Sequence, residues 1–213
     1  GGINISRGLK KLGIASEAII LSGGYTGKTL EALLRKEQVD FTAIPTEGDT
    51  RENFVVFDED KKLQYRFGMP GESVSDQALG ILLQAIGNCA HADYIVVSGS
   101  LPPETPVTIF HEIALIAKQL NAKLIIDTSG DALKAAVKEG LYLIKPNLRE
   151  LASLVGKDWI DTTAVIETAR QVIAAGDCEA MAVSMGAEGA MLITATEQFK
   201  AVAPKAPVLS TVG

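Results

Sequence analysis

The run Lys145-Pro146-Asn147-Leu148-Arg149-Glu150 places an ammonium, an amide and a carboxylate within six residues, a set suited to holding anions and a metal. Pro146 restricts Lys145 to an extended backbone, and Asn147 can cap a helix that starts behind it. Two roles then fit Glu150. It sits where the reciprocal partner of a capping box belongs, and a carboxylate there could equally hold a hydrated Mg²⁺ through water. Ser184-Met185-Gly186-Ala187-Glu188-Gly189 could bring backbone amides to phosphates, but it precedes a strand and so is no dinucleotide fingerprint. Ser98-Gly99-Ser100-Leu101-Pro102-Pro103 is a stiff turn with hydroxyls, read equally well as an ordinary loop between strand and helix. Gly1-Gly2-Ile3-Asn4 opens a helix whose N-terminus favours anions, or is a turn with Asn4 as its cap. Arg51 is either a solvated edge charge or a bidentate clamp on a phosphate. His91 and His111 lack neighbours for a triad or a zinc site.

Positioning these loops requires regular elements, and the apolar pattern supplies them. Ile5, Leu9 and Leu12 recur at helical spacing up to Gly13, and Ala18–Leu21 reads as a buried strand before a helix carrying Leu30, Leu33 and Leu34. Residues 39–71 break the rhythm. Asn53–Phe57 and Leu63–Phe67 are strand-like around a polar turn, and the whole stretch is expected to be a small β-sheet appendage. From 72 onward strands at Tyr94–Val97, Leu124–Ile126, Leu141–Ile144 and Met181–Ser184 alternate with helices, and a hairpin over about 190–203 ends the pattern. The expected fold is α/β, a mostly parallel sheet flanked by helices, with a core of residues 1–38 and 72–213 and a lid of residues 39–71. Ligands of such sheets bind beyond the carboxyl ends of the strands, which is where the unusual loops fall.

The 213 residues are 47% hydrophobic, enough for one sizeable core, and carry a net charge of −6. That balance disfavours sequence-independent nucleic-acid binding, which needs a basic surface. The two cysteines lie far apart and read as free thiols of a cytoplasmic protein, and no apolar run is long enough for a membrane span. The chain opens inside a glycine turn and stops in a loop, so truncation at both ends is expected.

Taken in order, GGINISRGLKKLG, SGGYTG, TRENFVV, SGSLPP, DTSG, KPNLREL, SMGAEGA and STVG resemble the phosphofructokinase-B branch of the ribokinase-like carbohydrate kinases over essentially the whole chain. YRFGMPG and TSGDAL look closest to the minor 6-phosphofructokinase isozymes, while 1-phosphofructokinases and tagatose-6-phosphate kinases share most of the other loops. The resemblance implies an ATP- and Mg²⁺-dependent kinase acting on fructose 6-phosphate or a related ketose phosphate. By matching motif, Gly1, Gly2 and Asn4 contact sugar hydroxyls, and Arg51 and Ser100 hold the phosphorylated sugar. Lys145 and Asn147 approach ATP phosphates, Glu150 orders Mg²⁺ through water, and Ser184, Gly186 and Gly189 lie along the nucleotide. Ser210 and Val212 match positions near a monovalent-cation (K⁺) site. The lid is expected to form a homodimer interface. In that family the last loop continues from Thr-Val-Gly into Ala-Gly-Asp, whose amides stabilise the transferring phosphoryl group and whose Asp is the general base. Gly213 is the start of that loop, so the resemblance implies little turnover by this chain alone. From another class, a non-catalytic ATP- or sugar-phosphate-binding regulator would share the same loops.

Overall fold

The computed structural model describes residues 1–61 and 63–203. Its ten strands and seven α-helices alternate over most of the chain. The first unit runs from α1 (Gly2–Lys11) through β1 (Ala18–Ser22) and α2 (Gly24–Lys36) to β2 (Phe41–Pro45). Next come β3 (Asn53–Asp58) and β4 (Leu63–Gly68), then α3 (Asp76–Gly87), β5 (Tyr94–Ser98), α4 (Ile109–Gln119) and β6 (Lys123–Asp127). The last stretch holds α5 (Gly130–Ala136), β7 (Leu141–Ile144), α6 (Leu148–Leu154), α7 (Val165–Ala174), β8 (Cys178–Ser184), β9 (Ala190–Thr194) and β10 (Gln198–Ala201).

Strands β5 to β10 form one sheet in which each strand lies beside the next in sequence; β5 to β8 are parallel, and β9 and β10 run antiparallel. The parallel strands are short and apolar, as burial on both faces requires. Ile126, Ile144, Met181, Val183 and Ile193 are fully enclosed, and they join Phe110 and Ile113 of α4, Leu151 of α6 and Val165 and Ala169 of α7 in one core. A smaller cluster of Ala18, Ile20, Leu34 and Val39 ties β1 to α2, while Ile19, on the other face of β1, packs against the main core. Burial pushes the Cys178 thiol up to about 12, and both cysteines are free.

The expected 39–71 appendage divides in two. β2 pairs in parallel with β1, register Ala18↔Phe41 to Ser22↔Pro45, and Ile44 is buried, so Phe41–Pro45 completes a β–α–β unit of the main body. The segment apart from it narrows to the antiparallel hairpin β3–β4. That hairpin exposes apolar side chains from both of its faces, among them Phe54, Val55, Val56, Phe57, Tyr65 and Phe67. Among the described residues no helix is long and apolar enough to cross a membrane.

Candidate active site

The carboxyl ends of β5, β6 and β7 lie side by side and feed three loops. The loop after β5 closes one wall of a cleft of about 180 Å³, lined there by Ser100, Leu101, Pro102 and Pro103. The opposite wall is the segment Thr46–Arg51 after β2, with Gly71–Val74 leading toward α3. Arg51 and Ser100, which the resemblance assigns to the same phosphorylated sugar, thus line one cleft. Asp49 and Glu72 line it too. A guanidinium beside two carboxylates and hydroxyls suits a ligand with one anionic group and several hydroxyls: Arg can bind the first bidentately and the carboxylates accept from the second.

Gly23 sets the depth of that wall. A Cβ on it would lie 1.9 Å from the Gly48 carbonyl oxygen and 2.4 Å from Thr46 Oγ1. The Gly23 amide also accepts no crowding because it donates to Thr50 Oγ1 at 3.0 Å, and the Thr50 amide returns a bond of 3.0 Å to the Gly23 carbonyl. The SGGYTG loop opens α2, and that it also buttresses the 46–50 segment depends on the β1–β2 pairing.

A second cleft, of about 320 Å³, opens between the start of α5 (Ser129, Gly130, Lys134) and the start of α6 (Asn147, Arg149, Glu150). Here the local reading of Glu150 is realised. Its Oε2 accepts from the Asn147 amide at 2.8 Å, and Asn147 Oδ1 accepts from the Glu150 amide at 2.9 Å, a reciprocal capping box. The other Glu150 oxygen has no partner among the described residues, so capping leaves the carboxylate one free acceptor. Among the described residues no group of three or more His, Cys, Asp or Glu is arranged to hold a metal. A donor set of one free carboxylate oxygen fits Mg²⁺, which keeps waters and takes further oxygens from substrate phosphates; it would not fit Zn²⁺.

Asn147 also forms a parallel bridge with Ser184, which joins the loop after β8 to this region. The Ser184 amide donates to the Pro146 carbonyl at 2.9 Å and the Gly189 amide to that of Gly186 at 3.1 Å. Those two amides are therefore committed within the protein. Gly189 itself, at φ +94°, would bring a Cβ to 1.9 Å from the Ala201 carbonyl, so β10 packing already demands glycine there.

The N-terminal residues divide as well. Helix α1 begins at Gly2 with Gly1 as its cap, so Asn4 lies inside the first turn and is not the cap. A Cβ on Gly1 would sit 2.6 Å from the Ser98 carbonyl oxygen, which seats the helix start against the end of β5. Gly2 and Asn4 line neither cleft. Asn4 Oδ1 lies 3.5 Å from Arg7 Nη1, and Arg7 pairs with Glu37 at 2.6 Å. Ser210, Val212 and Gly213 lie outside the described residues.

One participant went unread in the sequence. Asp127, the last residue of β6, pairs with Lys145 Nζ at 3.2 Å and accepts from Ser98 Oγ at 3.2 Å. The sequence signals were its position at a strand end and its place as the first residue of the DTSG run, neither of which assigned it a role. Asp49 and Glu72 carried no motif at all.

The family model "pfkB family carbohydrate kinase" matches residues 1–213. The chain is 36% identical over 208 residues to the ATP-dependent 6-phosphofructokinase isozyme 2 of Mycobacterium tuberculosis, covering 95% of this chain and 60% of that protein. It is 31% identical over 212 residues to the 1-phosphofructokinase of Bacillus subtilis, covering 100% of this chain and 69% of that protein. The crystal structure of phosphofructokinase-2 from Escherichia coli in complex with fructose-6-phosphate superposes with a TM-score of 0.91 at 32% identity, over 98% of this chain and 68% of that one. The chain thus spans about 60% of the length of its Mycobacterium relative. It belongs to the pfkB family of ribokinase-like carbohydrate kinases.

Proposed function

We propose that this chain carries the sugar-phosphate and nucleotide clefts of a kinase that moves the γ-phosphoryl group of MgATP to the 1-hydroxyl of fructose 6-phosphate, giving fructose 1,6-bisphosphate and ADP. The observation that carries the reading is the joint placement of Arg51 and Ser100 in one cleft and of Asn147 and Glu150 in another; Lys145, which lines neither, follows β7 two residues before Asn147. In this reading Arg51 holds the sugar phosphate and Asp49, Glu72 and Ser100 orient its hydroxyls. Lys145 and Asn147 contact the nucleotide phosphates, and the free oxygen of Glu150 holds a water of the Mg²⁺ shell. Bound Mg²⁺ supplies charge neutralisation at the transferring phosphate. Gly1, Gly2 and Asn4 are assigned to the sugar side, and K⁺ to the loop containing Ser210 and Val212.

Fructose 1-phosphate is the second acceptor to weigh, because the Bacillus subtilis relative, matched along the entire chain, is named a 1-phosphofructokinase. A coupled kinase assay of the intact gene product with fructose 6-phosphate, fructose 1-phosphate and tagatose 6-phosphate decides among them. The expected preference is for the first, and Arg51→Ala should raise KM for the sugar phosphate at least tenfold more than KM for ATP, about the worth of a lost charge-assisted contact. Equal effects on both substrates would remove Arg51 from the phosphate site. ATP binding with no transfer to any acceptor would favour the regulator.

The hairpin β3–β4 supports a second part of the reading, a homodimer. A two-stranded hairpin is marginal in water by itself, and one with apolar side chains on both faces needs a cover for each. A second copy meeting it through the same hairpin would cover one face of each. Sedimentation of the intact product should give a dimer at micromolar concentration that Phe67→Asp shifts to monomer; a wild-type monomer would refute this part.

A further inference from the structure

The rim of the sheet contains a polar relay that neither cleft accounts for. Ser98, Asp127 and Lys145 end or follow three adjacent parallel strands, β5, β6 and β7. Ser98 and Asp127 are register partners, the Ser98 hydroxyl donates to Asp127 Oδ2 at 3.2 Å, and the Gly99 amide donates to the Asp127 carbonyl at 2.9 Å. The Asp127 carboxylate is therefore fixed by its backbone and by one of its own oxygens. Its other oxygen, Oδ1, pairs with Lys145 Nζ at 3.2 Å. Lys145 in turn has its backbone pinned, because its amide donates to Ile126 at 3.3 Å and the following Pro146 is buried.

We propose that Asp127 is a positioning residue for Lys145: it holds the ammonium in place across the rim before a nucleotide arrives. The inference rests on the reading that Lys145 contacts nucleotide phosphates. A lysine at an exposed strand end otherwise samples many rotamers, and ordering it on binding would oppose each turnover. Stability does not explain the pair. The side chains are 48% and 31% exposed, and ion pairs that open to water contribute little to folding. What a fixed carboxylate does change is where the ammonium sits, and small displacements of a group that meets the transferring phosphate have large kinetic effects. Asp127 also adds a negative charge near the phosphates. Its removal should therefore leave nucleotide binding unharmed, or strengthen it, while turnover falls.

This split gives the test in the intact gene product. Asp127→Asn is expected to lower kcat by about tenfold to a hundredfold, with KM for ATP unchanged or lower and the thermal midpoint moved by about 2 °C or less. Ser98→Ala, which frees one carboxylate oxygen without touching Lys145, should lose less. The decisive comparison is a double-mutant cycle: if Asp127 acts through Lys145, then Asp127→Asn in a Lys145→Met background costs less than about twofold more. An equal loss in both backgrounds would give Asp127 an independent role and overturn the proposal, as would an unaltered kcat. A readout free of turnover is the ¹³C signal of reductively methylated Lys145, identified by its loss in Lys145→Arg. It should stand apart from the exposed lysines in the wild type and join them in Asp127→Asn. An inactive wild-type protein would sink the kinase reading alone, whereas a Lys145 signal that ignores Asp127→Asn would sink the positioning.

Discussion

Truncating Phe110 to alanine should lower the free energy of unfolding by about 3–5 kcal/mol, the range for deleting a large aromatic from a well-packed core. Phe110 is 1% exposed on α4, where it stands with Ile109, Ile113 and Ala117 on the helix face turned to the sheet. That spacing is the helical stripe that buries one side of an amphipathic helix. The main core it belongs to reaches from α3 across β5, β6 and β7 to α7, so a void at Phe110 is bordered by elements that cannot all close in together. Urea denaturation measures the effect: the midpoint should fall with an unchanged slope. A loss below about 1 kcal/mol would mean that α4 does not pack as described. Phe110→Leu, which keeps most of the volume, should cost far less.

Gly23→Ala should be nearly as severe, about 3 kcal/mol at the upper end of the cost of overpacking, and it should also damage the sugar side of the site. The added methyl meets the Gly48 carbonyl at 1.9 Å and the Thr46 carbonyl at 2.8 Å, and backbone cannot step aside as a flexible side chain can. The 46–50 segment must shift, and with it Asp49 and Arg51 in the first cleft. KM for the sugar phosphate should rise while KM for ATP stays near its wild-type value, because the second cleft draws no residue from this segment. Thermal unfolding and the same coupled assay read both effects. Wild-type stability in the alanine variant would contradict the close approach of β1 and the loop after β2.

Which parts of this molecule the chain discloses follows from how local each cause is. Asn147 and Glu150 were legible as a capping pair because both partners lie within one helical turn, and the bonds form as the spacing allows. The helices α1 and α2 were legible for the same reason, as was the hairpin β9–β10. Phe41–Pro45 fell within the expected lid because a short, mostly apolar run carries no mark of its partner; only the pairing with Ala18–Ser22 shows it. Asp127 was overlooked because its partners Ser98 and Lys145 become neighbours through strand order alone. One of the two local readings of Asn4 was a cap, because asparagine favours that position, yet the helix starts at Gly2 and Gly1 takes it. Arg51 and Ser100 each had a bland reading in isolation. They gain meaning from facing into one cleft.

The strand order β5-β6-β7-β8-β9-β10 bears on how such a chain reaches its structure. Each strand finds its partner in the strand just made, so the sheet can grow by addition at one edge. No step then closes a loop longer than the β7–β8 connection, which holds α6 and α7, and the loop-closure entropy that slows many sheet proteins is kept small. On a ribosome, where the amino-terminal strands emerge first, each new strand meets a template already formed. The rim that carries Ser98, Asp127 and Lys145 is completed early in that succession, with the third of its six strands.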